Sequence, residues 1–162
     1  MDVLTERVHV LSALVPLSRA MNTNSDIVNL TNYQSCSFII QKGAGGVGTA
    51  TITVDACDNT TPSNTAKAPF KYRRNIGGTD TWGAITARTA SQSFVTTANA
   101  NDMYEIIVDP AEIGAVAVNS TYGNRFCRVS VAQVDATAVD YGILAVLGTP
   151  RYPQNVPITG IA

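Results

Sequence analysis

The sequence predicts an all-β protein, a β-sandwich, on three observations. Short apolar runs of period two recur along the chain, the pattern of strands that turn one face to a core. Clusters of Gly, Asn, Thr and Pro separate them, at intervals typical of a sandwich or barrel. β-Branched residues are frequent, which suits a pleated, half-buried surface. A jelly-roll-like arrangement is one of the sandwiches that fit. The 162 residues fit a single domain, able to bury roughly 68–70% of the surface its unfolded chain exposes and so to hold a core without staples.

Residues 1–24 start apolar and turn polar at Asn22-Thr23-Asn24, and read as an N-terminal arm or an edge strand. An arm of this kind would be removable without unfolding the rest. Residues 25–148 form the predicted sandwich core. Arg7 to Leu14 and Asp26 to Leu30 are weaker strand candidates. Cys36, Phe38 and Ile40 share a face opposite Ser37 and Gln41. The segment Gly43-Ala44-Gly45-Gly46-Val47-Gly48 reads as a flexible hairpin between this strand and the next. Thr51 to Ala56 alternates cleanly. Pro69 to Arg74, Gly83 to Arg88 and Ser93 to Thr97 are further weak strands, and Met103 to Val108 a stronger one. Asp109 as N-cap, Pro110 at the first helical position and Gly114 near the end outline one turn of helix. Cys127, Val129 and Val131 alternate with Arg128 and Ser130, and Tyr141 to Leu147 is apolar enough to be covered on both faces. Residues 149–162, with Pro150, Pro153 and Pro157, read as a C-terminal tail.

Composition narrows the function classes. Charged residues make up 14% of the chain, against about 25% typically, so part of the surface is expected to be covered by other subunits. A net charge of −1 is no electrostatic footprint for nucleic acid. The longest basic run, Lys71-Tyr72-Arg73-Arg74, alternates between faces if it is a strand. No apolar run approaches the length of a membrane helix, and Asp2 and Glu6 sit where a signal peptide would be positive. Neither nucleic acid nor membrane is an expected partner.

Chemical motifs are weak. Gly43-x-Gly45-x-x-Gly48 spells a dinucleotide fingerprint, but that motif must open a helix, and a strand follows here. His9 is the only histidine, too few for a histidine metal cluster, and a strand edge or interface is its expected place. The spacing of Cys36, Cys57 and Cys127 matches no zinc or thioredoxin motif. They read as buried thiols, of which one pair could bridge if the fold brings it together. Asp55 with Asp58, and Asp102 with Glu105, could serve glycoside hydrolysis or calcium binding, but read as solvated turn acids. Trp82 and the tyrosines could line a sugar-binding face, although aromatics are only 7% of the chain and scattered. A non-enzymatic protein is expected, with no catalytic, cofactor or metal residues, that works through its surfaces.

The order of features also resembles a known group. It runs from Val3-Leu4-Thr5-Glu6-Arg7 through Ser25 to Leu30, Tyr33 and Phe38-Ile39-Ile40. It continues with Thr51 to Asp58 and Pro69 to Arg74, and ends at Leu147-Gly148-Thr149-Pro150-Arg151-Tyr152. This looks like the small virion-structural proteins of tailed bacteriophages. The resemblance implies a capsid decoration or cement protein, made in the host cytoplasm. It would sit on the outer surface of the head, bind the major capsid protein and associate with itself as a trimer. Val8, Val10, Leu11 and Leu14 near the N-terminus, then Arg151 and Tyr152 in the tail, are the expected interface residues. The alternatives are another virion part (neck, tail or fibre-associated) and a carbohydrate-binding β-sandwich.

Overall fold

The computed structural model describes residues 8–19, 22–44, 48–134 and 137–150. Among them are twelve strands and one short helix: β1 Val8–Arg19, β2 Thr23–Asn24, β3 Val28–Asn29, β4 Tyr33–Lys42, β5 Ala50–Cys57, β6 Thr65–Ala68, β7 Phe70–Asn75, β8 Thr86–Arg88, β9 Phe94–Val95, β10 Met103–Val108, α1 Pro110–Ala115, β11 Phe126–Gln133 and β12 Val139–Pro150. They form two antiparallel sheets. The first runs β1-β12-β4-β10-β7-β8; the second runs β2-β11-β5-β6, with β3 also pairing β11 and β9 pairing β5. The sheets pack face to face as an all-β sandwich.

Alternation builds the core. In β5, Ala50, Ile52, Val54 and Ala56 are buried between the sheets while Thr51 and Thr53 are half-exposed on the other face. In β4, Cys36, Phe38 and Ile40 turn inward from the opposite sheet. Burying a side chain such as Phe38 contributes about 1.5–3 kcal/mol. The aromatics that lie scattered in sequence converge here: Phe94 stacks on Tyr72 at 4.0 Å and tilts against Phe70 and Tyr104.

One connection differs from the sequence expectation. The Gly-rich segment after Lys42 is not a hairpin, because β4 and β5 belong to different sheets. It carries the chain across the sandwich, and a side chain at Gly48 would come within 2.2 Å of the Thr137 carbonyl. A second crossing is shorter: Pro69 alone separates β6 in one sheet from β7 in the other. Proline has no N–H to leave unpaired where the ladder is abandoned.

Of the two readings of the N-terminal segment, arm or edge strand, its described part is an edge strand. From Val8 to Arg19 it pairs with β12, and Leu11 and Ala13 enter the core. It is the outermost strand of its sheet. Its first half is regular, from Val8 opposite Gly148 to Ser12 opposite Leu144, and its second half carries register shifts around Ala13 and Pro16. Because β1 and β12 are antiparallel neighbours, Val8 and Gly148 lie at the same end of the sheet. The helix is as its sequence suggests: Asp109 accepts from the Ala111 N–H at 2.7 Å, and Ile113 is buried.

Candidate interaction surface

The outward side chains of the first sheet follow from the same alternation. Val10, between half-buried His9 and buried Leu11, points away from the core and is 38% exposed. Its cross-strand neighbour is Val146, and Ser12 faces Leu144, which is 45% exposed. Leu144 in turn faces Ile39 of β4, and Ile39 faces Glu105 of β10. Three adjacent strands therefore place Val10, Val146, Leu144 and Ile39 side by side. Next to them the irregular half of β1 leaves a groove of about 500 Å³ lined by Leu14, Pro16, Ile39, Gln41, Gly142 and Leu144, with Asp140 and Asn101 at its polar margin. Gly142 is required beneath it, because a Cβ there would meet Pro16 at 2.7 Å.

Toward β7 the same face becomes polar. Glu105 accepts from Arg73 Nε at 2.5 Å and from Ser37 Oγ at 3.0 Å. The Arg73 guanidinium lies 4.8 Å above the Trp82 ring. Trp82 is thus half-covered by a cation, and it does not stand as a bare platform. Within the basic run, Arg73 and Arg74 are neutralised on different faces, Arg73 by Glu105 and Arg74 by Asp102, while Lys71 is exposed.

The outer face of the second sheet has another character. Thr51, Thr53, Arg128, Ser130 and Lys67 point outward there. Asp55, buried among them, accepts from Lys67 Nζ at 2.6 Å and Arg128 Nε at 3.4 Å. This face is mostly polar, as on the solvent side of an antiparallel sheet, with Val95 beside Thr51 as its exposed apolar residue.

The four acids are not the solvated turn residues that their sequence context suggests. Asp102 is fully buried. Arg74 donates to it through Nη2 at 2.8 Å and Nε at 2.9 Å, the Gly77 N–H at 2.9 Å, and the Thr97 hydroxyl also. Burial pulls the Asp102 pKa upward, but the hydrogen bonds from Thr97 and Gly77 and the charge of Arg74 outweigh it and hold the carboxyl below its ordinary value. Lys42 is buried beside this knot and donates to the Gly48 and Thr97 carbonyls. Asp58 holds the N–H and side-chain amide of Asn64. Each acid is engaged by a partner: Asp102 by Arg74, Glu105 by Arg73, Asp55 by Lys67 and Arg128, and Asp58 by Asn64.

Of the residues expected at an interface, Val10 lies on the apolar outer face and Leu14 in its groove. Val8 is half-buried on the same edge strand, and Leu11 is buried in the core. Arg151 and Tyr152 lie outside the described residues. His9 sits on edge strand β1 with its Nδ1 2.9 Å from the Tyr33 hydroxyl. Ile39, Leu144 and Val146 went unnoticed in the sequence. Leu144 and Val146 fall in a run apolar at every position, where period two gives no signal, and Ile39 breaks the alternation of its strand.

Among the described residues no helix is long and apolar enough to cross a membrane, and no group of three or more His, Cys, Asp or Glu is placed to hold a metal ion. Compared with protein-family models and with curated proteins, the chain matches none.

Proposed function

We propose that this chain is a structural virion protein of a tailed bacteriophage, most specifically a decoration or cement protein on the outer surface of the head. One observation carries the reading: one outer face of the sandwich brings Val10, Ile39, Leu144 and Val146 together beside an apolar groove, with polar groups around them, while the opposite face centres on a carboxylate held by Lys67 and Arg128 and exposes Val95 only at its edge. An apolar centre ringed by polar groups is the anatomy of a protein–protein interface. The major capsid protein and further copies of this chain are the partners that fit. A cement protein stabilises a shell by burying area across subunit seams, and the gain repeats with every copy. The regular half of β1 adds a second means of attachment, since an edge strand can pair with a neighbour's strand through main-chain hydrogen bonds. The sequence resemblance supports the same reading, and Arg151 and Tyr152 remain candidate contacts in it.

The test is the solution mass of the purified chain by light scattering, followed by addition to expanded heads that lack it. A trimer that adds in a fixed ratio to the head is the expected result. A monomer that ignores heads would remove the cement reading and favour a neck, tail or fibre-associated part.

A further inference from the structure

Cys36 and Cys127 occupy the same place in the two halves of the sandwich. Cys36 is the inward residue of β4 between Val108 and Leu147. Cys127 is the inward residue of β11 between Val28 and Ala56. Both belong to the central core and are all but inaccessible, so each sheet turns one thiol into the same apolar layer between the sheets, near enough for each to influence the other's ionisation. Cys57 is excluded from this pair by parity. It follows Ala56, whose side chain faces inward, so its own lies on the far side of the sheet, with Sγ 3.8 Å from the Asp55 carbonyl.

We propose that Cys36 and Cys127 are a latent inter-sheet disulfide, which closes when the chain folds in the presence of a low-molecular-weight disulfide and leaves Cys57 as a free thiol. The thiolate of one cysteine attacks the small disulfide, breaking its S–S bond and expelling one small thiolate. The second cysteine then attacks the mixed disulfide and expels the other. The two cysteine thiols lose two protons and two electrons, and the reagent is reduced to two thiols. The bond closes during folding or opening rather than in the closed core. There, the neighbouring Cys36 thiol and then burial hold the Cys127 thiol far above its ordinary pKa, and the thiolate is the nucleophile. Burial likewise pushes Cys57 up to about 12. Once formed, the bond would tie β4 to β11, and so one sheet to the other, across a long loop, the case in which a cross-link restricts the unfolded chain most. The inference does not depend on the virion reading.

The experiment unfolds the full chain under reduction and refolds it in a buffer of oxidised and reduced glutathione. Free thiols are then blocked with N-ethylmaleimide in denaturant. The expected intact mass carries one maleimide. A non-reducing tryptic digest should contain residues 20–42 joined to residues 126–128, and Tm should rise by roughly 5–15 °C, reversibly with reductant. Cys57→Ser should leave all of this unchanged. Three maleimides, a bridge that includes Cys57, a cross-linked dimer or a fall in Tm on oxidation would each overturn the proposal. If refolding fails, the folded chain is equilibrated in the same buffer with sub-denaturing urea and read by the same masses.

Discussion

The two outer faces of the sandwich come from strands of the same kind, yet they differ. On one, Val10, Ile39, Leu144 and Val146 adjoin across three strands. On the other, Thr53, Lys67 and Arg128 surround the buried carboxylate of Asp55. Alternation decides only which residues point outward. Their chemistry decides what they meet: the second face is built around the ion pairs of Asp55 with Lys67 and Arg128, and the centre of the first is built from aliphatic side chains. A contiguous apolar patch marks a contact site more often than a scatter of single exposed residues does.

The comparison assumes that both faces ride on one rigid frame, and the largest expected effect tests the frame. Asp102→Asn removes the charge opposite Arg74 without changing shape. Breaking a buried pair this way costs 3–5 kcal/mol in fully enclosed sites, and the Arg74 side chain keeps 27% of its exposure, so a loss of about 2–3 kcal/mol is expected in urea unfolding. The acid dependence follows from the sign of the shift. The folded carboxyl titrates below its unfolded value of about 3.9. Its contribution is therefore whole above that pH and is lost as pH falls through the folded value. Wild type should lose stability below about pH 4 more steeply than Asp102→Asn. Parallel slopes would show that this knot does not hold the frame.

The next effect separates the faces. Leu144→Asp changes an exposed residue, so stability should move by about 0.5 kcal/mol or less. Self-association and binding to heads should nevertheless fall at least tenfold, because a carboxylate then sits in the apolar centre. Thr65→Asp, exposed at the edge of the other face, should change neither property. Sedimentation equilibrium and head binding measure both variants. Equal losses from both, or none from Leu144→Asp, would end the distinction between the faces.

Much of the frame was legible. Thr51 to Ala56 announces β5 by strict alternation, and Asp109-Pro110 with Gly114 announces the helix, because capping chemistry is local. The misreadings share one cause. A glycine run between strong strands looks the same whether the chain turns back or crosses to another sheet; the difference lies in partners found later, β12 for β4 and β11 for β5. The acids look like turn residues because Arg74 and Arg128 stand 28 and 73 positions from the carboxylates they bind. The apolar outer face hides for the opposite reason. In an all-apolar run such as Tyr141 to Leu147, inward and outward residues are chemically alike, and only the opposing sheet separates them.

The smallest effect lies at the rim of the apolar face and bears on its occupant. Trp82→Ala removes the ring beneath Arg73, and a cation–π contact at a half-exposed site is worth about 0.5–1 kcal/mol. Arg73 keeps its carboxylate partner Glu105, so the fold should absorb the loss. Rim positions of an interface contribute little, so association should change less than twofold. Sugar binding would behave differently, because stacking a sugar on the indole would make Trp82 its central contact rather than a marginal one. A glycan array with wild type and Trp82→Ala decides between the two. Retention of a glycan by wild type and its loss in the variant would make this face a carbohydrate site, with Arg73 displaced from the ring to admit the sugar. Indifference of both chains to every glycan would leave the apolar centre around Leu144 to a protein partner.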